Sequence, residues 1–315
     1  MKRYSPLLLI AVVALLTALP WFAGPTLVQF AINALMLATL AQGWNIIGGF
    51  AGYASFGNSI FFGLGSYGVA IAMVQWNLPF GVGLVVGVIF SIIFALAMGG
   101  PVLRLRGHYF AIATLALSQV MSAIFSNLEV AGRNIGLVLP LLRSDTLFYE
   151  LSLGLLVLAT LTVFYLSRSR FGFGLIAIRE NEDAAQSMGI NTTRYKVLAF
   201  TLAGLFCSLA GGIHAYWITF IDPNSAFDLS LNVKMIIMAV FGGPGSVLGP
   251  VIGAAILSAI SELLSSTLSS VASLFFGVVI VLAVILMPKG LTDCWLKFPV
   301  TRWRYFINNI RQYRL

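Results

Sequence analysis

Apolar stretches recur from one end of the chain to the other, separated by short polar turns. The pattern predicts helical spans at roughly 7–24, 26–48, 58–75, 79–100, 108–128, 147–167, 196–218, 226–241, 247–263 and 271–287. Most approach the ~20 residues that a tilted helix needs to cross the hydrocarbon of a bilayer. The span at 226–241 is the weakest, being short and running into a glycine-rich stretch. The expected fold class is therefore all-α: a polytopic transmembrane bundle of about ten spans, both termini cytoplasmic, forming one domain over 1–315.

Composition supports lipid as the main solvent. Hydrophobic residues make up 59% of the chain and charged residues 9%, too few to coat a soluble domain of 315 residues. The net charge of +8 raises nucleic acid as a partner, but the placement of the bases argues otherwise. With an inner N-terminus, Lys2, Arg3, Arg104, Arg106, Arg168, Arg170, Arg179, Arg194, Lys196, Lys289, Lys297, Arg302, Arg304, Arg311 and Arg314 all fall on the inner side, fifteen of eighteen. Arg133 and Arg143 fall in outer loops, and Lys234 lies in a span. That asymmetry is what orientation by positive inner loops produces. No nucleic-acid partner is expected.

Lys2-Arg3 followed by an apolar run to Ala18 also fits a signal peptide. No small-x-small cleavage site follows, and Pro20-Trp21 reads as an interface anchor, so retention is expected. Cys207 and Cys294 are too far apart in sequence and environment to suggest a disulfide, and no metal-ligand spacing occurs. The tail at 288–315 interleaves bases with aromatics, as a segment resting on the inner leaflet does; a solvated tail is the alternative.

Glycines recur at helix-packing spacing: Gly48 and Gly52, Gly83 and Gly87, and the ladder Gly245, Gly249, Gly253. Four-residue spacing places small residues on one helix face. Two richer stretches, GGFAGYASFG (48–57) and FGGPGSVLGP (241–250), read as helix breaks, either bordering a pathway or serving tight packing.

Some apparent motifs carry nothing. GLGSYG (63–68) matches a dinucleotide fingerprint but lies in an apolar span, with no preceding strand and no acid before Glu129. Asn191-Thr192-Thr193 fits a glycosylation acceptor, but falls on the inner side. There is no phosphate-binding G-x-x-x-x-G-K-[ST] loop, no H-E-x-x-H and no Ser/His/acid set; His108 and His214 stand alone. No enzyme, no metal and no cofactor bound by this chain is expected. Lys234 and Glu262 lie near span ends, where charged groups reach water easily. No charged relay deep in the bundle suggests proton or sodium coupling.

One inner segment stands out. In 168–196 the string RENEDAAQSMGIN (179–191) concentrates Arg179, Glu180, Glu182 and Asp183. Phe171, Leu175 and Ile178 are spaced for one helix face, and Arg179 precedes Glu182 and Asp183 by helix-pairing intervals. Ala184 and Ala185 favour helix without bulk, and Gly189 can close it in a left-handed cap. The expected product is a short cytoplasmic helix that a partner could seat in a groove. A solvated loop is the plain alternative, weakened by three acids that orientation does not need.

Asp183-Ala-Ala-x-x-x-Gly189 resembles the E-A-A-x-x-x-G loop by which permeases of bacterial ABC importers dock their ATPases, with Asp for Glu. IRENEDAAQSMGINTTRYKVLAF (178–200), GGFAGYASFGNSIFFGLGSYG (48–68), RLRGHYFAIATLALSQ (104–119) and FGGPGSVLGPVIGA (241–254) are similar to the branched-chain amino acid permease family, in its LivM branch. The resemblance implies a multi-pass inner-membrane permease with a second homologous permease, two ATP-binding subunits and an extracytoplasmic binding protein as partners. ATP is then used by the partner subunit. It assigns Glu182 to Gly189 to the coupling helix. Gly48, Gly49, Gly52, Gly57 and Gly63, with Gly242, Gly243, Gly245 and Gly249, shape the breaks around the path. Relatives commonly carry His or Gln where Asn58 stands, and an acid where Gln119 stands. Asn33, Asn45, Ser55, Asn58, Thr114, Ser118, Gln119 and Tyr216 are candidate polar contacts along the path, or else helix-to-helix hydrogen bonds. Open alternatives are an ABC permease for urea or a short amide, a passive small-solute channel, and a structural membrane protein.

Overall fold

The structure, a computed structural model, describes residues 15–142, 144–267 and Leu291. Residues 1–14, which include 7–14 of the expected first span, Arg143, the expected span at 271–287, Cys294 and all of the tail at 288–315 except Leu291 lie outside the described residues. After a single turn at Leu19–Phe22 come α1 (Pro25–Trp44), α2 (Asn58–Val74), α3 (Phe80–Val102), α4 (His108–Asn127) and α5 (Asp145–Leu166). The polar segment then folds as α6 (Arg170–Glu180) and α7 (Glu182–Ser187), followed by α8 (Thr192–Ile218), α9 (Leu229–Gly242) and α10 (Gly249–Thr267). Two two-residue strands, β1 (Leu137–Val138) and β2 (Phe220–Ile221), pair antiparallel with Leu137 opposite Ile221. They tie the α4–α5 connection to the end of α8.

The fold is an all-α bundle. Among the described residues, six helical stretches are long and apolar enough to cross a membrane: Pro25–Phe50, α3, α4, α5, α8 and Pro223–Gly242. Two shorter apolar helices, α2 and the Gly249–Leu263 part of α10, accompany them. Bounds follow the hydropathy pattern closely, because a helix that leaves its backbone groups nowhere to bond but inward must persist across the apolar layer.

α2 sits at the centre, buried from Asn58 to Ala72. Its neighbours approach it through glycine. A Cβ on Gly65 would stand 1.9 Å from the Ser208 carbonyl oxygen of α8, and one on Gly211 would stand 2.1 Å from that of Phe62. On the other side, a Cβ on Gly68 would meet the Gly87 Cα of α3 at 2.3 Å. Bundles in lipid have no solvent-driven force pressing helices together, so close backbone contact through small residues supplies the attraction. The glycines of GLGSYG thus serve packing: Gly63 fits the Phe227 ring, Gly65 fits α8 and Gly68 fits α3. α3 turns aliphatic side chains outward, among them Val85, Ile89, Ile93 and Leu96.

Two of the expected glycine ladders are not helix faces. Gly83 and Gly87 do share a face of α3, against Val69 and Gly65. Gly48, however, lies in a widened π turn at Asn45–Phe50, while Gly52 lies beyond it in irregular backbone. Gly245 stands in the turn between α9 and α10, Gly249 begins α10, and only Gly253 lies within that helix, against Gly242 and Met238. Sequence spacing matched a helix period where the backbone had already left the helix.

Candidate coupling site and the glycine breaks

Side-chain caps punctuate the polar segment. Ser169 Oγ accepts from Gly172 N at 3.0 Å and starts α6, and Asn181 Oδ1 accepts from Ala184 N at 3.0 Å and starts α7. Asn191 Oδ1 accepts from Arg194 N at 3.0 Å and starts α8. Each satisfies an amide left without a partner in a first helical turn. Asn191 of the apparent glycosylation acceptor is therefore a helix cap. At its other end α7 closes as expected: Gly189 takes φ +87°, and Ile190 N bonds to Ala185 O at 3.1 Å.

The helix is not continuous from Arg179 to Gly189. Asn181 is extended and splits it, so Arg179 does not pair with Glu182 or Asp183. Instead Arg179 reaches Glu180 at 2.9 Å, and both acids of α7 pair with Arg106 from the α3–α4 connection. The Arg106 guanidinium holds Asp183 through two hydrogen bonds, at 2.8 and 3.1 Å. That partnership keeps the Asp183 carboxyl below the usual carboxylate range.

Behind this exposed pair lies a buried one. Lys196, near the start of α8, has its side chain only 2% exposed. Its Nζ donates to Glu182 Oε1 at 2.6 Å, to the Leu103 carbonyl at 2.7 Å and to the Tyr53 hydroxyl at 3.0 Å. It also lies 4.7 Å from the centre of the Tyr53 ring. Tyr53 in turn donates to Glu182 Oε2. Burial would push the Glu182 carboxyl up; the hydrogen bonds from Lys196 and Tyr53 and the charges of Lys196 and Arg106 outweigh it, and the net shift is downward. The Tyr53 hydroxyl is pushed above its ordinary value by burial and by its bond to the Glu182 carboxylate. This network joins four parts of the chain: the loop after the first break, the α3–α4 connection, α7 and α8.

α7 consequently has two sides. Glu182 and Ala185 face the body of the protein, while Asp183, Ala184, Gln186, Ser187, Met188 and Gly189 face outward. Met188 is 85% exposed, a large apolar side chain presented at a polar edge. Leu175 and Ile178 are buried on the inner face of α6, as their spacing predicts, with Phe171 half-buried beside them. Sequence reasoning missed Tyr53 and counted Arg106 and Lys196 only as inner bases. The available signal was the surplus of acids in 179–183, which needs cations from elsewhere.

The two glycine breaks, two hundred residues apart in sequence, meet. Asn45 Oδ1 accepts from Gly245 N at 2.7 Å, and Asn45 Nδ2 donates to Ser246 O at 2.9 Å. Gln42 Nε2 adds a bond to Val247 O at 2.6 Å. A Cβ on Gly49 would stand 2.4 Å from Gly245 N, and one on Gly242 would stand 1.8 Å from Gly249 O. The breaks pack against one another, with Gly49, Phe50, Ser55, Gly57, Gly242 and Gly243 buried and Gly52 and Ala54 exposed. Irregular backbone at membrane depth is tolerated where it is packed in protein or lines a cavity. Trp44 Nε1 closes the first by donating to Ser55 O at 2.9 Å, and Ser55 Oγ accepts from Gly57 N at 3.2 Å. A Cβ on Gly57 would stand 3.2 Å from that of Thr114, on α4. Gly48 lies against the Trp44 ring, and Gly243 ends α9 with φ +122°.

The candidate polar contacts separate into groups. Thr114 and Ser118 are buried and bonded within the protein: Thr114 Oγ1 accepts from Phe56 N at 3.1 Å, and Ser118 meets Ser59 at 2.8 Å. Asn232, which bonds Ser59 at 2.8 and 2.6 Å, completes that cluster and was missed from sequence. Asn58 donates to Cys207 Sγ at 3.7 Å, and its buried Oδ1 has no partner among the described residues. Tyr216 lies between the rings of Phe80 and Phe148. Asn33 and Gln119 are exposed on the outer surfaces of α1 and α4. These residues do not line one common cavity.

Comparison with known proteins follows the same pattern. Over residues 26–284 the chain matches the family described as branched-chain amino acid transport system / permease component. It is 29% identical over 274 residues to the high-affinity branched-chain amino acid transport system permease protein LivM of Salmonella typhimurium strain LT2, covering 76% of this chain and 64% of that protein. LivM of Escherichia coli strain K12 is 28% identical over the same shares. A shorter match, 40% identical over 93 residues, joins 29% of this chain to 26% of the autoinducer 2 import system permease protein LsrC of Klebsiella pneumoniae. The chain thus spans about two thirds, 64%, of the length of the LivM relatives. No solved structure matches. A bundle of membrane-length helices, two glycine breaks bonded to one another and a family match from residue 26 to residue 284 place this chain in the branched-chain amino acid transport permease family.

Proposed function

We propose that this chain is a permease subunit of a bacterial ABC importer, carrying branched-chain or similarly small apolar amino acids inward across the inner membrane. Its partners on this reading are a second homologous permease, two ATP-binding subunits and an extracytoplasmic binding protein. ATP binds the partner, and this chain performs no covalent chemistry. The observation that carries the reading is α7: a short helix pinned from within by Glu182 and Ala185, presenting Asp183, Ala184, Ser187 and Met188 outward. A passive channel has no need of such a helix. Among substrates, branched-chain amino acids are favoured because the LivM relatives match over 76% of the chain, whereas the autoinducer 2 permease matches over 29%.

Closure of the ATPases on ATP displaces α7 and the elements tied to it, tilting the bundle between outward- and inward-open states. The end of the molecule bearing Arg106, α6, α7 and Lys196 is cytoplasmic on this reading, with β1 and β2 outside.

The test is a pull-down of the detergent-solubilised protein from its native membrane, wild type beside Asp183→Arg and Ala184→Arg, with partners identified by mass spectrometry. The reading requires an ATPase and a second permease with the wild type, and loss of the ATPase from the charge variants. Arg106→Gln controls for the ion pair that Asp183→Arg also removes. Wild-type protein recovered alone sinks the proposal. Uptake of leucine, isoleucine and valine into vesicles of the complex, against urea and autoinducer 2, then decides the substrate.

A further inference from the structure

The last turn of α6 reaches both glycine breaks at once. Arg179 Nη1 donates to the Gly49 carbonyl at 3.0 Å. That carbonyl belongs to the π turn Asn45–Phe50 that ends the helical stretch begun by α1, where oxygens lack intrahelical partners and a cation is favoured. The arginine stem lies under the loop that follows, because a Cβ on Gly52 would stand 2.6 Å from Arg179 Cγ. Its guanidinium also borders the second break: a Cβ on Gly245 would stand 3.0 Å from Nη1 and 3.1 Å from the same Gly49 oxygen. Gly52 and Gly245 both have positive φ, +77° and +76°, so each has two reasons to lack a side chain. Asn45, bonded to Gly245 and Ser246, locks the breaks to one another beside this point.

Arg179 thus touches both breaks with its stem and Nη1, while its other nitrogens pair with Glu180 and its side chain stays 36% exposed, two residues before Asn181 starts α7. It lies apart from the outward face of α7. We propose that Arg179 is a positioning residue of the transport cycle: it passes displacement of α7 to the joined breaks at Gly49 and Gly245. This rests on the importer reading above, since it takes α7 as the point where an ATPase pushes.

The test uses the complex purified with its ATPase and compares wild type, Arg179→Gln and Arg179→Lys. Hydrogen exchange is followed in peptides covering 45–57 and 241–249, with and without ATP. Loss of one charge-assisted hydrogen bond predicts about tenfold faster opening of these segments in Arg179→Gln, with little change in α2 or α5. In the wild type ATP alters exchange at both breaks; in Arg179→Gln it does not, although the ATPase still co-purifies and hydrolyses ATP. Leucine moved per ATP hydrolysed falls with it, and Arg179→Lys, which keeps the cation and stem, restores part of the ratio. Unchanged exchange, an unchanged ATP response, or loss of the ATPase from Arg179→Gln overturns the proposal. Should Arg179→Gln fail to fold, Arg179→Met, which keeps the stem and removes the donors to Gly49, is scored identically. A wild type that hydrolyses ATP but moves no leucine refutes the substrate, while the ATP response at the breaks still decides the role of Arg179.

Discussion

Lys196 Nζ lies 2.6 Å from Glu182 Oε1, and the lysine side chain is 2% exposed while that of the glutamate is 12% exposed. The pair is what holds α7 against α8. A buried ion pair is a weak source of net stability, because desolvation offsets most of the attraction, but it is intolerant of losing one member. Its consequence is geometric: α7 has one seat, set by a charge that only Glu182, Tyr53 and the Leu103 carbonyl can satisfy.

Removing the acid is therefore expected to cost more than removing the base. Glu182→Ala strands the Lys196 cation and should destabilise by about 3–5 kcal/mol. Lys196→Met should cost less, since Arg106 Nε stays 3.5 Å from Glu182 Oε2 and Tyr53 still donates to it. The double variant should be more stable than Glu182→Ala alone. Thermal unfolding in detergent checks the order; a double variant that melts no higher than Glu182→Ala means the lysine finds other partners.

Arg106 and Asp183 offer the contrast. Their side chains are 54% and 73% exposed, so despite two hydrogen bonds the pair is screened. Arg106→Gln should shift stability far less than Glu182→Ala does, and added salt should erase much of that shift. Denaturation at low and high salt measures it, and a loss as large as that of Glu182→Ala would refute the ranking.

Acid should loosen α7 through Glu182. Its carboxyl is held below the ordinary value of 4.5, so the unfolded chain binds the proton more readily than the folded one. The stabilisation is present above that value and is lost as pH falls through the lower folded one. The wild type should lose melting temperature over that window, and Glu182→Gln should show a shallower decline. Parallel slopes for the two proteins would count against the network.

Glycines that look alike in sequence should respond in opposite ways. Gly65→Ala places a Cβ 1.9 Å from the Ser208 carbonyl, backbone against backbone, and should destabilise by about 1–3 kcal/mol or more. Gly154, within α5, has nothing within 4 Å of an added Cβ. Gly154→Ala should stabilise by about 0.5–1 kcal/mol, because alanine has less backbone freedom to lose in a helix. Melting both variants beside the wild type decides it.

Much of this was legible along the chain. The apolar pattern sets helix ends because lipid leaves backbone groups no partner outside the helix, so hydropathy and helix length coincide. Capping is equally local: Gly189, expected as a left-handed cap, acts on a carbonyl within four residues, and Asn181 and Asn191, not read as caps from the sequence, act on amides three residues on. What the order of residues could not show is which distant groups share a seat. Nothing next to Lys196 marks it as buried; Arg194, two residues away, is exposed. The Arg179 pairing failed for the same reason, since one extended residue, Asn181, redirected both partners. Asn45 and Gly245 meet across two hundred residues only because α1 and α10 pack together. Sequence by itself determined the long apolar helices, the two glycine-rich breaks and the Gly189 cap, whose causes act within a few residues or through the bilayer. Tertiary structure alone decided which breaks touch and which charges are desolvated, because burial depends on every element that closes around a group and not on its neighbours in the chain.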